Sequence, residues 1–489
     1  MFMRNQTKAA GALLLLCVML FSSACSGTAG GGEGSKTAPE SSGNSEAPDD
    51  LPVGLKFDGS DIVFHVRGDD DVIRDVFVSE EESGSPIASA LYNKNRHVEN
   101  RLDVKISCFK ANPWQKYSES LVDLKASIDS EDGAFDVIAG WSAHIPTLAV
   151  DGYFLSLPGI QYLNLSQPWW NQSLNSELTI KNKLFFANGD ISISGISYAQ
   201  VFLFNKKLQN EFGVEDLYKT VLDGEWTIEK LMTYARSINK DNGDTVRDDL
   251  DIYGLAIDKV NAVDGFLQSS GIKMFTRDDS GLPVYQLEYD KVNELYDTVY
   301  SLCWGELPGA YSDDNEVLDE MFMSDRALLY PTTLINVEKK ISLMDTDYGI
   351  IPYPKYDANQ TGYYTRPQDG VSLYCIPRDA KNTPMSGAVM EAMASESHRS
   401  VTGVYFEVAM KHRYSRDDGD EASKMLDMIR DGQTYCFASV YNNSIGRPWD
   451  CLRILMENPN VSFASWYAQW EKTINTLTER FVNRLDDML

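Results

Sequence analysis

Cysteine is scarce in this 489-residue chain, and nothing in its spacing suggests pairing. After the first 25 residues only Cys108, Cys303, Cys375, Cys436 and Cys451 remain, an odd and scattered set without CxxC or a Cys/His cluster. That argues against a disulfide framework and a structural zinc site, and the five read mostly as small buried apolar side chains. Histidine is as sparse: His65, His97, His144, His398 and His412 show no ligand spacing. GxSxG, HExxH, the Walker loop and the dinucleotide fingerprint are all missing, so the common sequence signatures of catalysis are absent. Positive charge is also in deficit, with 44 Lys and Arg against 72 Asp and Glu and a formal net charge of −28. Loss of Arg4 and Lys8 with a cleaved leader would take this to −28 − 2 = −30. Such a body is repelled by nucleic acid and by anionic lipid heads, and no basic patch offsets this; neutral or cationic ligands suit it.

Long hydrophobic runs are missing too, with one exception at residues 9–21, which come after Arg4 and Lys8. The run has signal-peptide length and is too short to span a bilayer comfortably, so residues 1–24 are expected to be an export signal. The next feature, Ser22-Ser23-Ala24-Cys25, resembles a lipoprotein cleavage box and implies lipidation of Cys25. It departs from the usual pattern at Ser22, where Leu is customary, although Leu20 and Phe21 supply bulk just upstream. Residues 26–50 are Gly, Ser, Thr, Ala, Pro and acids, unable to nucleate a core. As a coil that stretch spans about 25–30 Å, and a lipidated N-terminus and flexible linker are assigned to 25–58. Together these features resemble the surface lipoproteins of Gram-positive bacteria, which implies the extracellular face of the cell membrane.

The rest of the chain is long enough for two or three domain-sized cores. Strand patterns at 61–66, 104–108 and 135–139 alternate with helical patterns at 87–102 and 117–128, which argues a parallel α/β sheet. The stretch 184–207 organises the remainder of the chain. Apolar runs at 184–187 and 200–204 read as strands, and between them Gly189, Gly195, Ile191, Ile193 and Ile196 disfavour helix and favour extended backbone. A helix then opens at residues 205–208 and stops at Phe212-Gly213. Thr227 is the N-cap of a helix to 239, with Trp226 read as core; a strand at 253–257, a strand at 371–376, helices from Met385 and Arg399, and a last helix at 464–489 complete the order.

The stretch 184–207, the segment PIASALYNKNRHVENRLDVKI at 86–106, Trp226-Thr227, residues 325–330 and residues 348–355 resemble, in series, the carbohydrate-type (family 1) extracellular solute-binding proteins of bacterial ABC importers. The resemblance runs from about residue 60 to the end. It implies a two-lobed, type II periplasmic-binding-protein-like α/β fold, each lobe a mainly parallel sheet flanked by helices, with several hinge crossings. The lobes are expected at 59–195 plus 345–398 and at 196–344 plus 399–489, with residues 325–330 on the return toward the first lobe. It further implies a monomer, anchored by lipid, that captures an oligosaccharide by lobe closure for the permease subunits and performs no chemistry. Two readings from other classes stay open: a surface glycan-degrading enzyme, and a binding protein that takes peptides or serves a sensor kinase.

Sugars stack C–H faces on aromatic rings and need paired donors and acceptors for their hydroxyls. Trp141, directly after the strand at 135–139, stands where open α/β sheets bind ligands. By the resemblance Trp170, Tyr330, Arg366, Asp369 and Tyr441 fall at cleft positions, Ser197 and Tyr198 face the cleft floor, and Glu81 of the acidic run Glu80-Glu81-Glu82 joins them. Acidic pairs of the glycosidase type are too abundant to inform. The stretch 239–251, NKDNGDTVRDDLD, resembles a calcium loop with a damaged match, leaving calcium and a solvated acidic turn both open.

Overall fold

The computed structural model describes residues 49–68, 72–76, 86–304, 309–406 and 419–487. Its strands are β1 (Ser60–Val66), β2 (Val104–Lys110), β3 (Val137–Trp141), β4 (Gln200–Asn205), β5 (Asn239–Lys240), β6 (Ile252–Ala256), β7 (Phe275–Arg277), β8 (Pro283–Tyr285), β9 (Ala310–Tyr311), β10 (Ala327–Thr333), β11 (Tyr348–Ile351) and β12 (Ser372–Cys375). Leader, Cys25 and most of the linker lie outside the described residues, as do Glu80, Glu81, Glu82 and His412. No described helix is long and apolar enough to cross a membrane.

The first lobe is built on a sheet of order β12-β3-β1-β2. β1 is parallel to both β2 and β3, with Ile62 opposite Ile106 and Phe64 opposite Val137, while β12 is antiparallel to β3. Parallel neighbours need crossovers, and helices Pro86–Leu102 and Tyr117–Asp129 supply them. Val98 and Leu102 of the first helix pack on the sheet, while Leu91, further up the same helix, joins the second lobe's core.

A second sheet has the order β11-β4-β10-β6-β5, with β9 added to β6. β10, β6 and β9 are parallel; β4 enters from the first crossing and runs antiparallel to both its neighbours. Helix N-termini here follow the sequence: the Asn205, Asp216, Thr227 and Asp314 side chains accept N–H groups of the first helical turn. Trp226 is fully buried, its indole N–H donating to Pro352 O at 2.8 Å.

Three expectations need correction. Residues 184–187 form no ladder strand: Ala187 makes one isolated bridge to Tyr374. Beyond it, the stretch expected to be extended contains a one-turn helix, Ser194–Ser197, entered by Ile193 with helical dihedrals. The Ser192 hydroxyl supports this turn, accepting the Ser194 N–H and donating to Arg74 O at 2.6 Å. The return to the first lobe also comes later than residues 325–345. β10 and β11 both pair with β4, and Ile350 and Ile351 enter opposite apolar layers of the second lobe. The return is carried instead by residues 363–371, between β11 and β12. A third crossing lies near residue 400, where helix Thr383–Ser400 packs in the first lobe and Val401 and Tyr405 in the second.

The largest apolar cluster joins the halves. Ile145 and Leu174 of the first lobe and Phe266 of the second share it with Phe437, Tyr441 and Phe481 from the C-terminal helices. The last of these helices is Phe463–Asp487.

Candidate interlobe site

The first lobe's strands end at one edge, and four side chains collect there. Arg67 follows β1, Trp114 follows β2 in a 3-10 turn, Trp141 ends β3, and Tyr117 opens the helix after Trp114. Tyr117 meets Trp141 edge to face at 4.3 Å, and Trp114 meets it at 5.4 Å. The Arg67 guanidinium lies 5.2 Å from the Trp141 ring centre and 5.5 Å from that of Tyr198. This packing needs Gly140, because a Cβ there would lie 2.5 Å from Ile145 and 2.8 Å from the Tyr117 hydroxyl. Covered in this way, Trp141 is 5% exposed, whereas Trp114 is 51% exposed. The sequence placed Trp141 correctly at a strand end, but the ring presented to solvent is its neighbour's. Trp114 was not singled out, because it stands beyond Ala111-Asn112-Pro113 and not directly after its strand as Trp141 does.

Arg67 is held rigidly. Its Nε donates to Asp75 Oδ2 at 3.1 Å with both side chains fully buried, and its Nη1 donates to Gly370 O on the return crossing. The Ser192 hydroxyl oxygen also lies 3.0 Å from Asp75 Oδ1, so both crossings converge on this pair. Gly370 is required for contact: a Cβ there would lie 2.0 Å from the Tyr198 ring.

A charged cluster borders these residues. Arg366 Nη2 donates to Asp369 Oδ1 at 2.7 Å and lies 3.5 Å from Asp264 Oδ2; Arg453 Nη2 also donates to Asp264 Oδ2. Ser142 of the first lobe donates to Asp369 O at 3.0 Å, across the lobe boundary. Burial pushes the Asp264 carboxyl up to about 6, with the two arginines opposing the rise. Burial likewise lowers His144, while the Asp369 charge acts against it. Among the described residues, Arg366 Nε and Nη1, Arg453 Nε, Asp264 Oδ1 and Gln200 Oε1 are buried without a hydrogen-bond partner. The neighbourhood thus holds unmatched donors and acceptors together, the complement of a ligand rich in hydroxyls.

The structure brings Trp141, Tyr198, Arg366 and Asp369 to this boundary, with Ser197 buried beside Tyr198. It places three other candidates elsewhere. Trp170 is 1% exposed and donates its indole N–H to Glu391 at 2.9 Å inside the first lobe. Tyr330, fully buried, donates to Asp319 at 2.8 Å inside the second. Tyr441 packs against Phe437 and Phe481 at 5.1 and 4.8 Å. Large aromatic side chains are worth most when buried, and these three rings are fully used by their cores. In the loop before β6, Asp241, Asp244 and Asp248 accept backbone N–H groups of their own turns. Among the described residues no three His, Cys, Asp or Glu side chains converge to hold a metal. Cys108, Cys303, Cys375, Cys436 and Cys451 are free thiols, three of them buried.

No curated protein matches the sequence. Among solved structures, the galacto-N-biose-/lacto-N-biose I-binding protein of a Bifidobacterium longum ABC transporter, in complex with lacto-N-biose, aligns with TM-score 0.56 at 10% identity, over 87% of this chain and 97% of that one. The GacH receptor of Streptomyces glaucescens GLA.O, solved unliganded and with acarbose, aligns with TM-score 0.54 at 14% identity, over 87% and 99%. A cyclo/maltodextrin-binding protein complexed with maltotetraose aligns with TM-score 0.51 at 12% identity, over 88% and 97%. The shared architecture is the two-lobed, type II periplasmic-binding-protein-like fold. A sequence profile matches residues 89–398, most of the chain, and by it the chain belongs to the bacterial extracellular solute-binding protein family.

Proposed function

We propose that this protein captures an oligosaccharide between its lobes at the outer face of the cell membrane and delivers it to the permease subunits of an ABC importer. It acts as a monomer held by lipid on Cys25, and it performs no chemistry. The observation that carries this reading is the exposed Trp114 ring, braced by Trp141 on the carboxyl edge of a parallel sheet and neighbouring buried, unmatched donors and acceptors. Such an edge is where open α/β sheets take ligands, and an indole face with mixed polar partners matches the amphipathic surface of a sugar. The oligosaccharides held by three relatives of the same fold support the class of ligand. In this account Trp114 carries the stacking, Trp141 and Arg67 fix its seat, and Arg366, Asp369 and Tyr198 face the hydroxyls. Closure brings the lobes together about the three crossings and buries the sugar.

A thermal-shift screen of the purified protein against neutral oligosaccharides and short peptides tests the reading. Binding to the folded, closed state raises the melting temperature by mass action, so at least one oligosaccharide is expected to stabilise and to be recovered uncleaved. Stabilisation by peptides alone, or hydrolysis of the sugar, would overturn it. For the anchor, Cys25→Ala is expected to release the protein to the medium or leave its leader uncleaved; normal processing with lipid label retained would refute this part.

A further inference from the structure

Helix Pro86–Leu102 runs through the seam between the lobes. Near its start Leu91 packs with Ile193, Ile196, Val401 and Tyr405 in the second lobe's core, and further along Val98 packs in the core of the first. Lys94 lies between them, 1% exposed, and among the described residues its Nζ has no hydrogen-bond partner.

Two carboxylates act on the Lys94 amine, and both are engaged elsewhere. Asp75, where the first and return crossings converge, is bonded to Arg67 at 3.1 Å. Glu396, one turn before the third crossing, pairs with Arg399 at 2.7 Å and lies 3.8 Å from His97. Beyond that crossing the Tyr405 hydroxyl lies 3.4 Å from Glu338, which pairs with Arg74. Burial lowers the Lys94 ammonium to about 8 from an ordinary 10.5, with the Asp75 and Glu396 charges opposing the fall. A buried ammonium without a hydrogen bond is costly, and water or a freed carboxylate relieves it. Moving the second lobe away from Leu91 removes side chains that cover this part of the helix and lets water reach Nζ.

We propose that closure of the lobes over a ligand expels a proton from Lys94, so that capture tightens as the medium becomes alkaline. The proposal rests on the closure reading of the interlobe site. Between about 8 and the ordinary 10.5 the open state keeps a proton that the closed state has lost. Ligand affinity therefore rises with pH across that interval and is flat below it.

Calorimetric titration with the oligosaccharide that stabilises the protein most gives the readout. From about pH 7.5 to 9.5 wild-type affinity is expected to rise about tenfold or more, and at about pH 8.5 buffers of different ionisation enthalpy should report release of most of one proton. Lys94→Met replaces the amine by an apolar chain of similar length. The folded variant should bind at about pH 7.5 as tightly as wild type does at 9.5, with neither pH dependence nor proton release. A flat wild-type affinity, or a Lys94→Met variant that keeps the wild-type rise, would overturn the proposal. If no oligosaccharide binds, the interlobe reading falls and small-angle X-ray scattering of the ligand-free chain decides this one. Contraction of the wild type, but not of Lys94→Met, over the same pH interval supports it; an unchanged wild-type radius of gyration overturns it.

Discussion

Trp141 ends β3, Trp114 lies in the turn after β2, and the two rings touch, yet their consequences for the molecule differ. Trp141 is 5% exposed and braced by Tyr117 and Arg67, so Trp141→Ala leaves a cavity and should cost about 3–5 kcal/mol in urea unfolding. Half of Trp114 faces solvent, and Trp114→Ala should cost no more than about 1 kcal/mol. Equal losses in the two variants would contradict the assigned geometry. A different residue carries a pH signal. Glu391 is 1% exposed, accepts the indole N–H groups of Trp169 and Trp170 and the Asn164 N–H, and burial raises its carboxyl to about 7 from an ordinary 4.5. Between those values the folded state keeps a proton that the unfolded state has released. Its contribution is therefore full below about 4.5 and lost as pH rises through 7, by on the order of 3 kcal/mol. The stability difference between wild type and Glu391→Gln, followed by urea melts from pH 4.5 to 7.5, should fall along that slope; a flat difference would show that Glu391 is ionised throughout.

At the scale of elements, local periodicity was a good guide and pairing was not. The helix at 86–102, the N-cap at Thr227 and the alternation of the first three strands arise from spacing and capping residues, which act within a few positions. Membership of β10 and β11 in the second sheet depends on pairing with β4, more than a hundred residues away, which no local pattern encodes. The site was legible to the same degree. A tryptophan at a strand end points to the edge of the sheet proposed to take the ligand, but which of two adjacent rings is covered depends on Tyr117 and Arg67 folding over one of them. Trp170, Tyr330 and Tyr441 were misplaced because a large aromatic side chain suits a core as well as a cleft. The return crossing yields its own prediction. Gly370→Ala drives a methyl into the Tyr198 ring and should destabilise the fold by about 1–3 kcal/mol. Gly370→Ala with Tyr198→Ala should recover part of that loss in the same urea melts, and strict additivity would show that the two positions do not touch.

Across the whole molecule, two sheets meet where three crossings pass, and the C-terminal helices share one apolar cluster with both halves. That arrangement leaves the carboxyl edge of the first sheet facing the second lobe through Ser142, Asp369 and the Arg366 cluster. The net charge of −28 makes a neutral ligand the natural guest, because an anion would enter against the field of the entire body. Calorimetric titration of wild type and Trp114→Ala with the oligosaccharide that stabilises the protein most tests the central claim directly. The account predicts a loss of about tenfold or more in affinity in the folded variant, the equivalent of one stacked ring. Unchanged affinity would contradict it.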